Sequence, residues 1–531
     1  MTARSRVHGA LGALLLALTA SSVNAQNLAD LKTAPEATNF RETTRYADVV
    51  AFMKTVAAAS PRIHLDTMGY TFEGRALPLA VVGDVADSSP DAVRASGRTR
   101  VYVQGNIHAG EVEGKESLLI LLREIAQGGH AQLLDSLVLL IAPIYNADGN
   151  ERVELDNRGA QHGPIGGMGT RPNAQGLNLN RDHTKLDSPE ARSLARVLAA
   201  YDPHVIMDLH TTNGTTHAYH ATYSAPMHPN TDSAIVRLMR RRWLPEVTAA
   251  LSEKYGWDYY YYGNRSGRGG EVRWSTFDYR AMFNNNYAGL RNRFGVLSEA
   301  YSYLTFEDRI LATSRFVEEI LGFAMRDARA IRDIAAAADA ESVVGRRLAV
   351  RAEPERSARQ VQILMGEVVE ERHPYTGARM LRRVDVERPE MMWEYGTFTP
   401  TETEIAPAAY LVPPSLTDVI GNLAAHGVRM EPVEGARTLA VERFRVDSTT
   451  VAREFEGHQE RQVYGAWEAH TQEIPAGTMR IAVDQPLGRL VFSLLEPRST
   501  DGLVNWNYLD RVIAEARYLP ILRVPAGGGA P

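Results

Sequence analysis

Apolar and polar positions alternate along the first two thirds of the chain in a way that predicts strands and helices in turn. Residues 49–59 carry helical spacing, 77–82 and 101–106 are apolar runs of strand length, and 114–126 returns to the helical period. The run 137–144 is almost continuously apolar, the pattern of a strand buried on both faces. Ser188-Pro189-Glu190 opens a helix reaching about 200, with Ser as N-cap, Pro in the first turn and an acid near the positive end. Residues 205–209 form another buried strand closing at His210, and 233–254 are helical. A short strand at 294–297 closes at Glu299, and 316–338 reads as a long alanine-rich helix. Between these elements, 150–177 is rich in Gly, Asn and Arg and too long for an ordinary connection, which marks it as a functional loop.

Strands alternating with helices predict an α/β fold of three layers, α/β/α. In such sheets, sites collect at the carboxyl ends of the strands. From about Glu341 the texture changes to short Val/Ile/Leu/Arg runs broken by Pro and Gly: 347–351, 361–365, 410–413, 438–446, 479–483 and 490–495. These predict a β-rich C-terminal domain over 345–531, with a small helix at 415–426 and a disordered tail at 525–531.

The 531 residues allow two to four domains, at roughly 100–200 residues each. Hydrophobic residues at 44% and charged ones at 23% are ordinary for a globular protein, so disordered and collagen-like classes drop out. At the start, Arg4 and Arg6, the apolar stretch 10–18 and Val23-Asn24-Ala25 read as a signal peptide over 1–25, too short to span a membrane. Its removal takes the formal charge from −6 to −8. A mildly acidic chain is a poor nucleic-acid binder, and that class is set aside. The chain has no cysteine, so a thiol nucleophile and Cys-ligated metals are excluded. A metal must rest on His, Asp and Glu.

His108 and Glu111 follow the strand 101–106 and stand three positions apart. Alone, the pair fits a structural His beside a capping Glu. His210, at the end of another strand, supplies a third ligand and leaves a position open, the pattern of catalytic zinc. Glu299 closes a further apolar strand; near a metal such a carboxylate takes a proton from water and passes it to a leaving amine. The cationic candidates are Arg158, Arg171 and Arg181, then Arg291 and Arg293. Asn180-Arg181, an amide beside a planar guanidinium, suits capture of a carboxylate. The run Tyr259 to Tyr262 reads as a strand or loop with half its rings buried, or as a cleft wall. His183 and His217 are close enough in sequence to support the site.

In order along the chain, Glu73-Gly74-Arg75, His108-x-x-Glu111, Asn146-x-Asp148-Gly149, Asn180-Arg181, His210 and Glu299 resemble the zinc carboxypeptidase family, the carboxypeptidase A-like metallopeptidases. The resemblance covers about residues 45–325. It implies a mixed, about eight-stranded sheet, with one zinc ion held by His108, Glu111 and His210. It also implies Glu299 as general base and acid, and Asn180 and Arg181 on the substrate's terminal carboxylate. A further arginine would stabilise the oxyanion, Arg171 first and Arg158 second, and Tyr287 is a candidate for the family's mobile tyrosine. The chain departs from the family pattern at Gly110, where Arg is frequent, at Ala147 in the usual Asn-Pro-Asp-Gly turn, and at Asn178. There an Asp often orients the first zinc His; Asp208 is a candidate for the missing charge.

These readings divide the chain into the signal peptide, a zinc carboxypeptidase-like catalytic domain at 26–344 and a β-rich accessory domain at 345–531. The function expected is that of an exported metallocarboxypeptidase, periplasmic or extracellular, acting on peptides without a membrane or nucleic-acid partner; oligomeric state stays open. Two alternatives stand beside it: a zinc-dependent deacylase of N-acyl amino acids, and a non-catalytic peptide- or cell-wall-binding protein on the same fold.

Overall fold

The computed structural model describes residues 28–267 and 271–527. The expected signal peptide at 1–25 and the last residues of the expected tail lie outside that range. The central sheet draws on β1 (Ile63–Tyr70), β2 (Ala76–Val82), β3 (Thr99–Gly105), β4 (Leu137–Ala142), β5 (Val205–Thr211), β6 (Ala221–Ser224) and β7 (Tyr259–Tyr261). A small hairpin of β8 (Asn264–Ser266) and β9 (Arg273–Ser275) follows, and β10 (Phe294–Ala300) completes the sheet. It has eight strands in the order β1-β2-β4-β3-β5-β10-β6-β7. The central four, β4, β3, β5 and β10, run parallel, and β2 and β6 flank them antiparallel. Every residue of β4 and β5 is buried, as a parallel strand covered on both faces requires.

The covering helices include α1 (Tyr46–Ala59), α2 (Glu113–Ala126), α3 (Pro189–Tyr201), α4 (Asn284–Leu290), α5 (Phe306–Arg326) and α6 (Ala328–Ala340). At α3 the N-cap works as its sequence indicates, with Ser188 Oγ accepting from the N–H of Ala191 at 3.0 Å. The single helix expected over 316–338 is instead two. It begins earlier, where the Thr305 hydroxyl accepts from the N–H of Asp308, and parts at Asp327 (φ −102, ψ 18), a residue whose side chain competes with helical backbone. The helix expected over 233–254 widens to a π turn at Met239–Trp243 just before Pro245, which cannot donate to the preceding turn.

Beyond the helices come β11 (Arg347–Glu355), β12 (Val361–Arg372), β13 (Arg379–Tyr395), β14 (Thr397–Ile405), β15 (Ala409–Val412), β16 (Glu431–Pro432), β17 (Arg437–Phe455), β18 (His458–Ile474), β19 (Met479–Ala482) and β20 (Tyr518–Val524). Six of them form the sheet β16-β19-β15-β20-β17-β18. The run 490–495, expected as a strand, is a helix, Gly488–Leu495, buried on all sides; a short apolar run looks alike in either state. The two halves of the chain are closely joined. β9 pairs parallel with β13, and one continuous core takes in Phe294 and Val296 together with Val412, Val419 and Leu490. The small helix Thr417–Ala425 docks on α3, and Asn422 donates to the carbonyls of Thr184 and Lys185.

Candidate metal centre and substrate cavity

The carboxyl ends of β3, β5 and β10 lie side by side, and each delivers one part of the site. After β3 the chain turns so that the N–H of Glu111 reaches the carbonyl of His108 at 2.9 Å, which points both side chains the same way. On β5, His210 stands in register with Glu299 of β10. His108, Glu111 and His210 are buried, and each offers a ligand atom within 4.8 Å of the others. His108 Nδ1 lies 3.0 Å from Glu111 Oε1, and His210 Nδ1 lies 2.8 Å from Glu111 Oε2.

The far nitrogen of each ring has its own partner. His108 Nε2 is 2.9 Å from Asn178 Oδ1, and His210 Nε2 is 2.8 Å from Asp208 Oδ2. Asn178 thus takes the orienting position its sequence context suggests. Asp208, expected as a source of charge for His108, serves His210 instead, because it sits two positions away on the same strand face. The donor set fits zinc: two imidazole Nδ1 atoms and a carboxylate converge, with each ring fixed from behind by an oxygen acceptor.

Electrostatics follow from the same contacts. Burial pulls His108 down to about 4, with Glu111 opposing. For His210, burial is outweighed by Asp208 and Glu111, so its pKa stands well above the usual value. Burial raises Glu111, yet His108, Arg158 and His210 together hold it well below the carboxylate range. Glu299 goes the other way: burial, only partly offset by His210, raises it to about 8.

A cavity of about 330 Å³ opens beside these groups, lined by His108, Glu111, Arg171, Asn180, Arg181 and Glu299. Arg171 reaches Glu111 at 3.3 Å with much of its side chain still exposed to the cavity. Arg181 is half-buried; partial desolvation, with Arg171 nearby, lowers it to about 10, and its guanidinium lies over the ring of Phe283. Two expected substrate contacts are elsewhere. Arg158 spends its donors on Glu111 Oε1 (2.8 Å) and the carbonyls of Thr211 and Thr212, so it braces the ligand cluster rather than lining the cavity. Tyr287 is in the core, its hydroxyl on His426 Nδ1 at 2.7 Å. Arg291 shares that buried hydroxyl, and Arg293 is paired with Asp202 and Asp339.

The rest of the lining comes from Thr211, Asn213, Tyr262, Asn264, Phe277, Phe283, Asn284, Asn285 and Leu297, most of them in no motif. Within the tyrosine run both expectations hold by position: Tyr259 is buried and Tyr262 lines the cavity. Neither His183 nor His217 touches the ligand cluster: His183 is held by Met282 and Asn284, and His217 packs on Tyr301. Several motif residues are structural. Asp148, fully buried, binds Arg75, Thr71 and the N–H of Glu73, while Asn146 caps the short helix at Ala147–Glu151. At Gly110 a Cβ would come within 2.8 Å of Arg158 Cγ and the carbonyl of Gly169, so no side chain fits there.

Residues 49–267 match the zinc carboxypeptidase family model. The chain is 25% identical to Carboxypeptidase 2 of Trichophyton rubrum over 494 residues, covering 88% of this chain and 84% of that protein. It is 30% identical to human Carboxypeptidase D over 152 residues, 25% of this chain and 11% of that one. Among solved structures it is similar to the carboxypeptidase A of Helicoverpa armigera, with 16% identity, a TM-score of 0.40, and coverage of 62% of this chain and 82% of the other.

Proposed function

We propose that this chain, a hydrolase of the metallocarboxypeptidase class whose residues 49–267 match the zinc carboxypeptidase family model, removes single residues from the free carboxyl ends of peptides outside the cytoplasm. The observation that carries this reading is the cavity itself. It joins a three-ligand cluster to a proton-transfer carboxylate and to an amide–guanidinium pair suited to a terminal carboxylate.

His108, Glu111 and His210 would hold one zinc ion, which when bound supplies the Lewis acidity for attack on a peptide carbonyl. Glu299 takes the proton of the attacking water and delivers it to the leaving amine; burial, which raises its pKa, suits it to do both. Arg171, whose guanidinium is exposed to the cavity, stabilises charge developing on the carbonyl oxygen. Asn180 and Arg181 bind the terminal carboxylate, and Asn178 and Asp208 orient the two ligand rings. The export signal at 1–25 and the division at 344/345 belong to the same proposal. Among the described residues no helix is long and apolar enough to cross a membrane.

The test is mass spectrometry of a mixed pool of peptides and N-acyl amino acids incubated with the mature protein, with and without a chelator. Chelator-sensitive loss of single C-terminal residues is the expected result. Release only from N-acyl amino acids would reassign the chain as a deacylase. Zinc binding without turnover would make it a binding protein.

A further inference from the structure

The long hairpin of β17 and β18 ends at Phe455-Glu456-Gly457-His458, and this tip lies against the segment that carries part of the cavity wall. Glu456, in the left-handed region at φ 51, accepts the N–H of Asn178 on Oε2 at 2.7 Å. Asn178 is the residue whose Oδ1 faces His108 Nε2, and the same oxygen accepts the N–H of Asn180 at 3.0 Å. Next in the turn is Arg181, whose charged form Glu456 favours. The turn Leu179–Arg181 is a single short 3-10 piece, too brief to fix its own orientation.

The tip is anchored on both sides. His458 Nε2 meets Asp187 Oδ2 at 2.7 Å, and its Nδ1 meets Asn507 Oδ1 at 3.1 Å. Two residues further along β18, Glu460 accepts from Arg280 at 2.7 Å. Phe455 stacks toward Trp506, which packs in one cluster with the cavity residues Phe277 and Phe283.

We propose that Glu456, contributed by the C-terminal half of the chain, is a positioning residue for the metal site. By accepting the N–H of Asn178 it sets the turn that orients His108 and presents Asn180 and Arg181. The consequence is that the catalytic site is incomplete without the hairpin. The assignment rests on the reading of the cavity given above, and its test separates the two.

The experiment uses the full-length mature chain as wild type, Glu456→Ala and Glu456→Gln. Zinc affinity is measured by competition with a chromophoric chelator, kcat and KM on a peptide with a free carboxylate, and folding by thermal melting. Glu456→Ala is expected to weaken zinc binding and kcat/KM by about 10-fold, the scale for partners of metal ligands. Glu456→Gln keeps an oxygen that accepts the Asn178 N–H, so it is expected to restore most of both. Wild-type zinc affinity and kinetics in the Ala variant overturn the proposal, and so does an equal loss in both variants, which would assign the effect to charge. If Ala melts early, the near-isosteric Gln variant alone decides: activity and zinc affinity near wild type support the hydrogen bond, and a loss overturns it. A wild-type protein without peptidase activity overturns the cavity reading, while the zinc measurement still judges Glu456.

Discussion

Asp208 and His210 stand two positions apart on one strand, and the carboxylate of the first lies 2.8 Å from Nε2 of the second. Side chains at that spacing share a strand face, so β5 presents both a candidate ligand and the carboxylate placed to orient it. Gln104, on the neighbouring strand, donates to the other Asp208 oxygen at 3.1 Å and fixes the carboxylate in turn. Asp208→Ala is therefore expected to weaken zinc binding by about 10–100-fold while leaving the other two ligands in place. Competition with a chelating dye measures this; wild-type affinity in the variant would mean that Asp208 does not set the ring.

The proposed function gives Glu299 a part in the chemistry and none in the ligand set. Glu299→Gln is expected to retain zinc at wild-type stoichiometry and to lose about 10²–10⁴-fold in kcat, the range for a general acid–base group. Zinc content by elemental analysis beside steady-state kinetics separates the two quantities. Loss of zinc in this variant would make Glu299 a ligand.

The proposed function gives Arg181 a narrower role. Arg181→Ala removes a charge-assisted bond worth about 1.5–3 kcal/mol, so kcat/KM on peptides with a free carboxylate is expected to drop about 10–100-fold, mostly through KM. An unchanged KM would move the carboxylate site elsewhere in the cavity.

How far these residues could be read from the sequence depends on where each sits. His108, His210 and Glu299 were legible because each closes an apolar strand, and Glu111 because it follows His108 within one turn. The cavity walls were not: Tyr262, Phe277 and Phe283 come from irregular segments and meet only through folding. Strand β1, Ile63–Tyr70, gives no clear strand signal in the sequence because it is half polar and mostly accessible. The hairpin of β17 and β18 is longer than its apolar part, since the outer length of β17 is mostly exposed. From the sequence Asp208 is a candidate partner for His108; the two-residue strand period assigns it to His210.

Stability is expected to carry a pH signature from a group far from the chemistry in sequence. Glu496 is buried, accepting from Tyr410 at 3.0 Å and Trp467 at 2.8 Å. Burial, outweighing Arg523, pushes it up to about 7, against an ordinary value of 4.5. Between these values the folded state holds more protons than the unfolded one, so this group makes stability fall as pH rises through the window. Urea denaturation midpoints measured from pH 5 to 8 are expected to decline less steeply in Glu496→Gln, which cannot ionise. An equal slope in both proteins would remove Glu496 from the account.

The central claim is metal-dependent removal of residues from a free carboxyl end. Two peptides of one sequence, one ending in a free carboxylate and the other in an amide, test it directly when incubated with the mature protein with and without a chelator. The account predicts stepwise shortening of the free peptide, sparing of the amide, and arrest of the shortening by the chelator. Equal cleavage of both peptides, internal cleavage, or shortening that survives the chelator would contradict it.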